Sequence, residues 1–249
     1  MGTPTMRLAR CTSAEVGAVA ADVVVVLPIG SLEQHSHHLP LGTDAMLAEA
    51  VCDRLEQALP SEVLLAPTLW FGASDHHLGF PGSVSIGSEL VAEVVAGALS
   101  SLFRSSGLSR FLIVNGHGGN EPGMRVAVEK LGRLEGVLAW GCNYWDALLA
   151  ALAERGTPAD AGMGHACHLE TSLVLGLDSE LVRTDRLEAD PVAPHEAWLF
   201  DSRGFRQTTQ HGGKGDPRQA DAAFGAHVLE LAADRLATVV RRLAGTAVS

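Results

Sequence analysis

Basic residues are scarce in this 249-residue chain: 18 Lys and Arg stand against 29 Asp and Glu, a formal charge of −11. A phosphate-backbone partner needs clustered cations, so nucleic acid is not an expected ligand. No apolar run approaches the roughly 20 residues that span a bilayer, so no membrane segment is expected. Nor does any stretch join a charged start to an apolar middle and a small-residue cleavage site, so no signal peptide is read. The four cysteines, Cys11, Cys52, Cys142 and Cys167, form no CxxC pair. In a chain this long they read as reduced thiols of a cytoplasmic protein rather than disulfide staples. Cys167 lies between His165 and His168, but a lone cysteine is more often a small hydrophobe than a ligand. The glycine-rich His211–Asp216 stretch lacks the GxxxxGK[ST] spacing of a phosphate loop and reads as a turn before a helix. Without an internal repeat or a shift in composition, one domain over residues 1–249 is expected.

What the chain does have is apolar bulk, 47% of its residues, enough for a sizeable core. Residues 22–29, DVVVVLPI, read as a strand buried on both faces. Thr43 is placed to cap a helix from about Asp44 to Leu59, stopped by Pro60. Residues 63–67 form a second strand. Ser88 is expected to cap a helix whose apolar positions, from Leu90 to Leu102, keep helical spacing up to Gly107. Phe111–Val114 is a buried strand, a helix starts beside Pro122, and Gly136–Trp140 is one more strand. Thr171–Leu177 fits strand or helix equally. Pro191–Asp216 is long and turn-rich, and Asp216-Pro217 should open a last helix to about Leu243. Strands alternating with helices imply an α/β fold with a mostly parallel sheet. Ligands of such sheets bind beyond the carboxyl ends of the strands.

Chemistry-bearing residues cluster at those ends. Glu33 and His35 are two apart in extended chain and Asp44 opens the following helix. Carboxylates with imidazole suit Zn²⁺ or Mn²⁺, and one aspartate can bridge two ions about 3.5–4 Å apart. A polar loop with Asp44 favouring a helix N-terminus is the other reading, and spacing alone does not choose. His117 sits in Asn115-Gly116-His117-Gly118-Gly119-Asn120, where a tight turn explains the glycines but not the histidine, which favours metal ligation. His165, His168 and Glu170 offer a base, a further ligand and a carboxylate. Asp75-His76-His77, before Phe80-Pro81-Gly82, reads as a substrate-side loop. His37, His38, His195 and His227 read as surface or supporting residues, with His38 placed to donate to a ligand carboxylate.

These segments resemble the creatininase (creatinine amidohydrolase) family. "GSLEQHSHHLPLGTD" is similar to its first signature, "NGHGGN" to its second and "GHACHLETSLVL" to its third; "FPGSVSIGSE" and "KGDPRQADAAFG" match further segments, so the likeness covers roughly residues 22–232. The resemblance implies a three-layer α/β/α fold, a homohexamer, and a metal-dependent amidohydrolase acting on carbon–nitrogen bonds other than ordinary peptide bonds. It implies two divalent ions, Zn²⁺ or Mn²⁺: one on Glu33, Asp44 and His117, the second on His35 and a bridging Asp44. His165 matches the family's proton-transfer histidine. On that basis a metal-bound hydroxide would attack the carbonyl of a small amide or cyclic amide.

The chain also departs from the family. Enzymes acting on creatinine carry Tyr and Glu where this chain has Gly118 and Gly119, and that Glu completes their second metal site. Here the role falls provisionally to Glu170, as ligand or catalytic carboxylate. Ala161 and Gly162 stand where those enzymes have a Trp-Asp pair in the substrate pocket, and Ser36 replaces the usual glycine. The alternatives within the family are a peptidase of the mycofactocin-precursor type or a formamide hydrolase. The alternative outside it is a non-catalytic metal-binding scaffold.

Overall fold

The computed structural model describes residues 6–154, 164–190 and 202–247. Strands β1 (Val24–Ile29), β2 (Val63–Leu65), β3 (Arg110–Asn115) and β4 (Leu138–Asn143) form an all-parallel sheet in the order β2-β1-β3-β4. β1 is buried throughout because both of its faces are covered. Its alternation sends Val24 and Val26 into one core and Val25, Leu27 and Ile29 into the other.

The helices are α1 (Ser13–Gly17), α2 (Thr43–Ala58), α3 (Gly87–Ser106), α4 (Glu121–Leu131), α5 (Tyr144–Glu154), α6 (His168–Leu177), α7 (Phe205–Thr208) and α8 (Ala222–Gly245). On one face of the sheet, Leu47 and Leu55 of α2, Leu148 of α5, Leu173 of α6 and Leu236 of α8 share a core with Val24 and Val26. On the other, Val91 and Val95 of α3 and Leu131 of α4 pack against Val25 and Phe111. Truncating a fully buried leucine such as Leu47 to alanine typically costs about 2–5 kcal/mol. The architecture is therefore three layers, α/β/α, as expected. No helix among the described residues is long and apolar enough to cross a membrane.

Several local expectations shift. Thr43 does not cap α2: Gly42 is the N-cap, and the Thr43 hydroxyl donates to the Pro40 carbonyl at 2.7 Å. α3 begins at Gly87, so Ser88 lies inside its first turn. It ends as expected at Gly107, whose φ of +76° closes the helix. Asp216-Pro217 opens only a three-residue 3₁₀ turn. The long helix starts later, where the Asp221 side chain accepts from the Phe224 N–H at 2.6 Å. β4 runs past Trp140 to Asn143. The ambiguous Thr171–Leu177 stretch is helix α6, packed against α8. In the turn-rich segment, residues 202–216 include α7; residues 191–201, with His195, and the positions Ala161 and Gly162 lie outside the described residues.

β1 and β3 pair from Val24 with Arg110 to Ile29 with Asn115, so both strands end at one level. The loops carrying Glu33 and His117 thus leave from the same edge. Gly116 allows α2 to close over that edge, since a Cβ there would lie 2.4 Å from the Asp44 carbonyl oxygen.

Candidate metal centre and active site

At this edge the structure brings together Glu33, His35 and Asp44, all essentially buried, with His117, His165 and Glu170 around them. The ligand atoms of Glu33, His35 and Asp44 lie within 4.8 Å of one another, as do those of His35, His165 and Glu170. His117 Nδ1 lies 3.2 Å from Glu33 Oε1 and 3.1 Å from Asp44 Oδ2. His35 Nε2 meets the other Asp44 oxygen at 3.0 Å. Asp44 therefore faces both histidines, one oxygen to each. Residues as far apart in sequence as Glu33 and Glu170 converge because the loops leave one sheet edge and α6 packs beside it.

Backbone carbonyls fix the rings. His117 Nε2 donates to the Ala73 carbonyl at 3.0 Å, which turns the Nδ1 lone pair toward the two carboxylates. His35 Nδ1 donates to the Glu33 carbonyl at 3.2 Å and leaves Nε2 for Asp44. His165 Nε2 donates to the Gln34 carbonyl at 2.8 Å, so its Nδ1 lone pair faces inward, 3.8 Å from Glu33 Oε1.

Charge makes the group unusual. Glu33 Oε1 and Oε2, Asp44 Oδ2 and Glu170 Oε2 are buried without a hydrogen-bond partner, although ring nitrogens stand close by. A buried unpaired carboxylate costs several kcal/mol, and a cation is the simplest partner that would satisfy it. Carboxylate oxygens and imidazole lone pairs converging on shared points fit a divalent ion of the Zn²⁺ or Mn²⁺ type. Burial raises the pKa of Glu33, aided by the neighbouring Asp44 charge. Burial likewise pushes Glu170 up to about 7. Burial opposes charging of His35, yet the Asp44 carboxylate lifts it to about 9. Burial and the nearby His35 hold His165 well below its ordinary value, as a neutral base.

The sequence reading did not foresee the scaffold behind these residues. The two asparagines of "NGHGGN" are clamps. Asn115 grips the His117 backbone, its Nδ2 donating to the carbonyl at 2.7 Å and its Oδ1 accepting from the N–H at 3.1 Å. Asn120 ties the Gly30 carbonyl to the Ala73 N–H at 2.9 Å each. His77, in the loop read as substrate-side, is buried with Nε2 3.1 Å from Glu33 Oε1, and Gln34 Nε2 faces its Nδ1 at 2.8 Å. His76 joins the rim, stacked on His117 with ring centres 5.5 Å apart.

The remaining positions resolve one by one, with Cys167 as expected. His38 is buried but meets the Thr171 hydroxyl at 2.9 Å rather than a ligand carboxylate. Cys167 is a free, buried thiol pushed up to about 12 by burial. His168 stacks on Phe224 at the start of α6. Ser36 has φ +55°, which explains the glycine usual at that position. Gln34 Oε1 accepts from its N–H at 2.9 Å and helps hold the turn.

Gly119 is enclosed. A Cβ there would lie 2.1 Å from the Ala73 carbonyl oxygen and 2.4 Å from His117 Nε2. No side chain at position 119 can complete a metal site in this backbone. A cavity of about 660 Å³ opens over the cluster, with Trp145, Leu149, Phe205 and Lys214 among its walls.

Comparison with known proteins identifies the family. The family model described as "Creatininase: Creatinine amidohydrolase" matches residues 9–240. A mycofactocin precursor peptide peptidase of Mycobacterium ulcerans (strain Agy99) is 37% identical over 87% of this chain and 84% of its own length. A creatinine amidohydrolase of Pseudomonas putida is 28% identical, covering 91% and 92%. Among solved structures, a manganese creatininase superposes with a TM-score of 0.83 at 25% identity, covering 98% of this chain and all of that one. A Zn-Zn form of a creatininase mutant reaches 0.81 at 26%, with the same coverage. The relatives are enzymes that hydrolyse amide bonds, so this chain is a hydrolase rather than an inert scaffold. It belongs to the creatininase family.

Proposed function

We propose that this hydrolase cleaves a peptide-type amide with divalent metal held at Glu33, His35, Asp44, His117 and Glu170. The observation that carries the metal reading is the set of buried, unpartnered oxygens on Glu33, Asp44 and Glu170 facing imidazole lone pairs. Asp44, with one oxygen toward each of His35 and His117, would offer both of its oxygens to divalent metal. Divalent ions in such a site supply positive charge that polarises an amide carbonyl and lowers the pKa of water toward about 7.

The chain's own residues supply the rest. His165, neutral and anchored through Nε2, presents Nδ1 to take a proton from the attacking water and pass it to the leaving nitrogen; such transfer is typically worth about 10²–10⁴-fold. Glu170, with its pKa near neutrality, can serve the second cation position or hold a proton beside His165. Gln34 and the Asn115 and Asn120 clamps keep the loops in place.

Two observations favour a peptide over creatinine. The enclosure of Gly119 denies the carboxylate that creatinine-hydrolysing enzymes place there. The 660 Å³ cavity has room for amino-acid side chains beyond a single five-membered ring. Relatives bearing the peptidase name are also 35–37% identical to this chain. The test is hydrolysis of an unstructured peptide panel and of creatinine by metal-reconstituted protein. Peptide cleavage abolished by chelator and restored by Zn²⁺ or Mn²⁺ is expected. Creatinine turnover with no peptide cleavage would reverse the substrate assignment.

A further inference from the structure

The cavity over the metal centre is walled by acids, histidines and apolar groups, with a single lysine among its described residues, Lys214. Its position is set by the backbone. Lys214 N–H donates to the His165 carbonyl at 2.7 Å, and the His165 N–H donates back at 3.0 Å. The segment carrying the lysine is therefore pinned to the segment carrying the proton-transfer histidine.

The side chain lies over Phe205, with Nζ 4.1 Å from the ring centre. The same ring stands edge-on to His165 at 4.9 Å. The ammonium is thus one aromatic ring away from the group that moves protons. That distance corresponds to no more than about two or three residues of extended peptide at roughly 3.5 Å each. Among the described residues no carboxylate lies within ion-pair reach of Nζ. In a chain with net charge −11, a half-buried lysine with no carboxylate partner among the described residues is the exception. Burial also lowers its pKa.

We propose that Lys214 is the recognition residue for a carboxylate on the substrate, set beside the Phe205 ring, so that the site prefers peptides presenting a free acid within a few residues of the cleaved bond. A half-buried ammonium with an apolar platform binds an anion that carries its own apolar group better than it binds the neutral amide. One charge-assisted contact of this kind is worth about tenfold in affinity. The kinetic side of this inference rests on the peptide-hydrolase reading; the binding side does not.

The test uses N-acetylphenylalanine and N-acetylphenylalaninamide, titrated calorimetrically into the metal-loaded protein and into Lys214→Met and Lys214→Arg. The acid is expected to bind the unmodified protein about tenfold more tightly than the amide. Arginine should keep most of that preference and methionine should bring it close to one, with metal content and Tm unchanged. An acid preference that survives Lys214→Met would place the carboxylate on the cations and overturn the proposal, as would equal or absent binding of both compounds to the unmodified protein. If the preference follows Lys214 but no peptide is cleaved, the recognition role stands and the hydrolase substrate assignment falls.

Discussion

His117 Nδ1 stands 3.1 Å from Asp44 Oδ2 because the opposite nitrogen of the same ring is tied to the Ala73 carbonyl. That relationship joins the loop after β3 to the first turn of α2 through an imidazole nitrogen and a carboxylate, and although burial opposes charging, the Glu33 and Asp44 carboxylates lift the His117 pKa well above its ordinary value. Two groups so placed are poised for a common cation, and the first expectations concern it.

Asp44→Asn keeps the volume but removes the charge that both histidines face. The variant should lose at least one equivalent of metal by elemental analysis and lose activity by 10²-fold or more, the scale for an essential electrostatic group. Full metal content with full turnover would dismiss the bridging role.

Glu33 is buried at a raised pKa, so without metal it works against folding. Glu33→Gln should raise the Tm of the chelator-treated protein, by about 2–4 °C for each kcal/mol of desolvation relieved. Added Zn²⁺ should stabilise the unmodified protein through mass action and stabilise this variant much less. Differential scanning calorimetry with and without metal reads both effects.

His165→Ala should retain its metal and lose turnover by about 10²–10⁴-fold. Loss of metal along with turnover would make His165 a ligand instead.

Positions 118 and 119 form a matched pair. Nothing lies within 4 Å of a Cβ at Gly118, whereas at Gly119 it would strike the Ala73 carbonyl and the His117 ring. Gly119→Ala is expected to cost about 1–3 kcal/mol in denaturant unfolding and to weaken metal binding, since both struck groups orient the site. Gly118→Ala should leave metal content unchanged. Equal effects at the two positions would contradict the packing.

His38 is held at about 4 by burial and by the charge of His35. Its folded pKa lies below the unfolded value of about 6.5, so the unfolded chain binds the proton more readily. Stability therefore falls as pH drops from about 6.5 through about 4. His38→Gln should reduce that slope by up to one proton, or about 1.4 kcal/mol per pH unit, in urea titrations. An unchanged slope would show that His38 is not kept neutral.

Much of the fold is legible in local patterning. The doubly buried DVVVVLPI stretch, the apolar spacing of Leu90–Leu102 and the stop at Gly107 each follow from short-range sterics and burial, which depend on neighbours a few residues away. Cap positions at Thr43, Ser88 and Asp216 were misplaced by one to several residues, because competing hydrogen bonds such as Thr43 to Pro40 are decided by the surrounding turn. His117 is readable as ligand-like because a glycine turn explains its neighbours but not the histidine, whereas spacing alone leaves Glu33, His35 and Asp44 between a metal site and a polar loop.

What the chain could not state by itself was which nitrogen of each ring faces which oxygen. Those choices hang on the Ala73 and Gln34 carbonyls, on His77 arriving from a loop more than 40 residues beyond Glu33, and on the space denied at Gly119. Residue type and spacing are properties of the polymer. The direction of a lone pair, and the absence of room for one more methyl group, exist only once distant segments pack against each other.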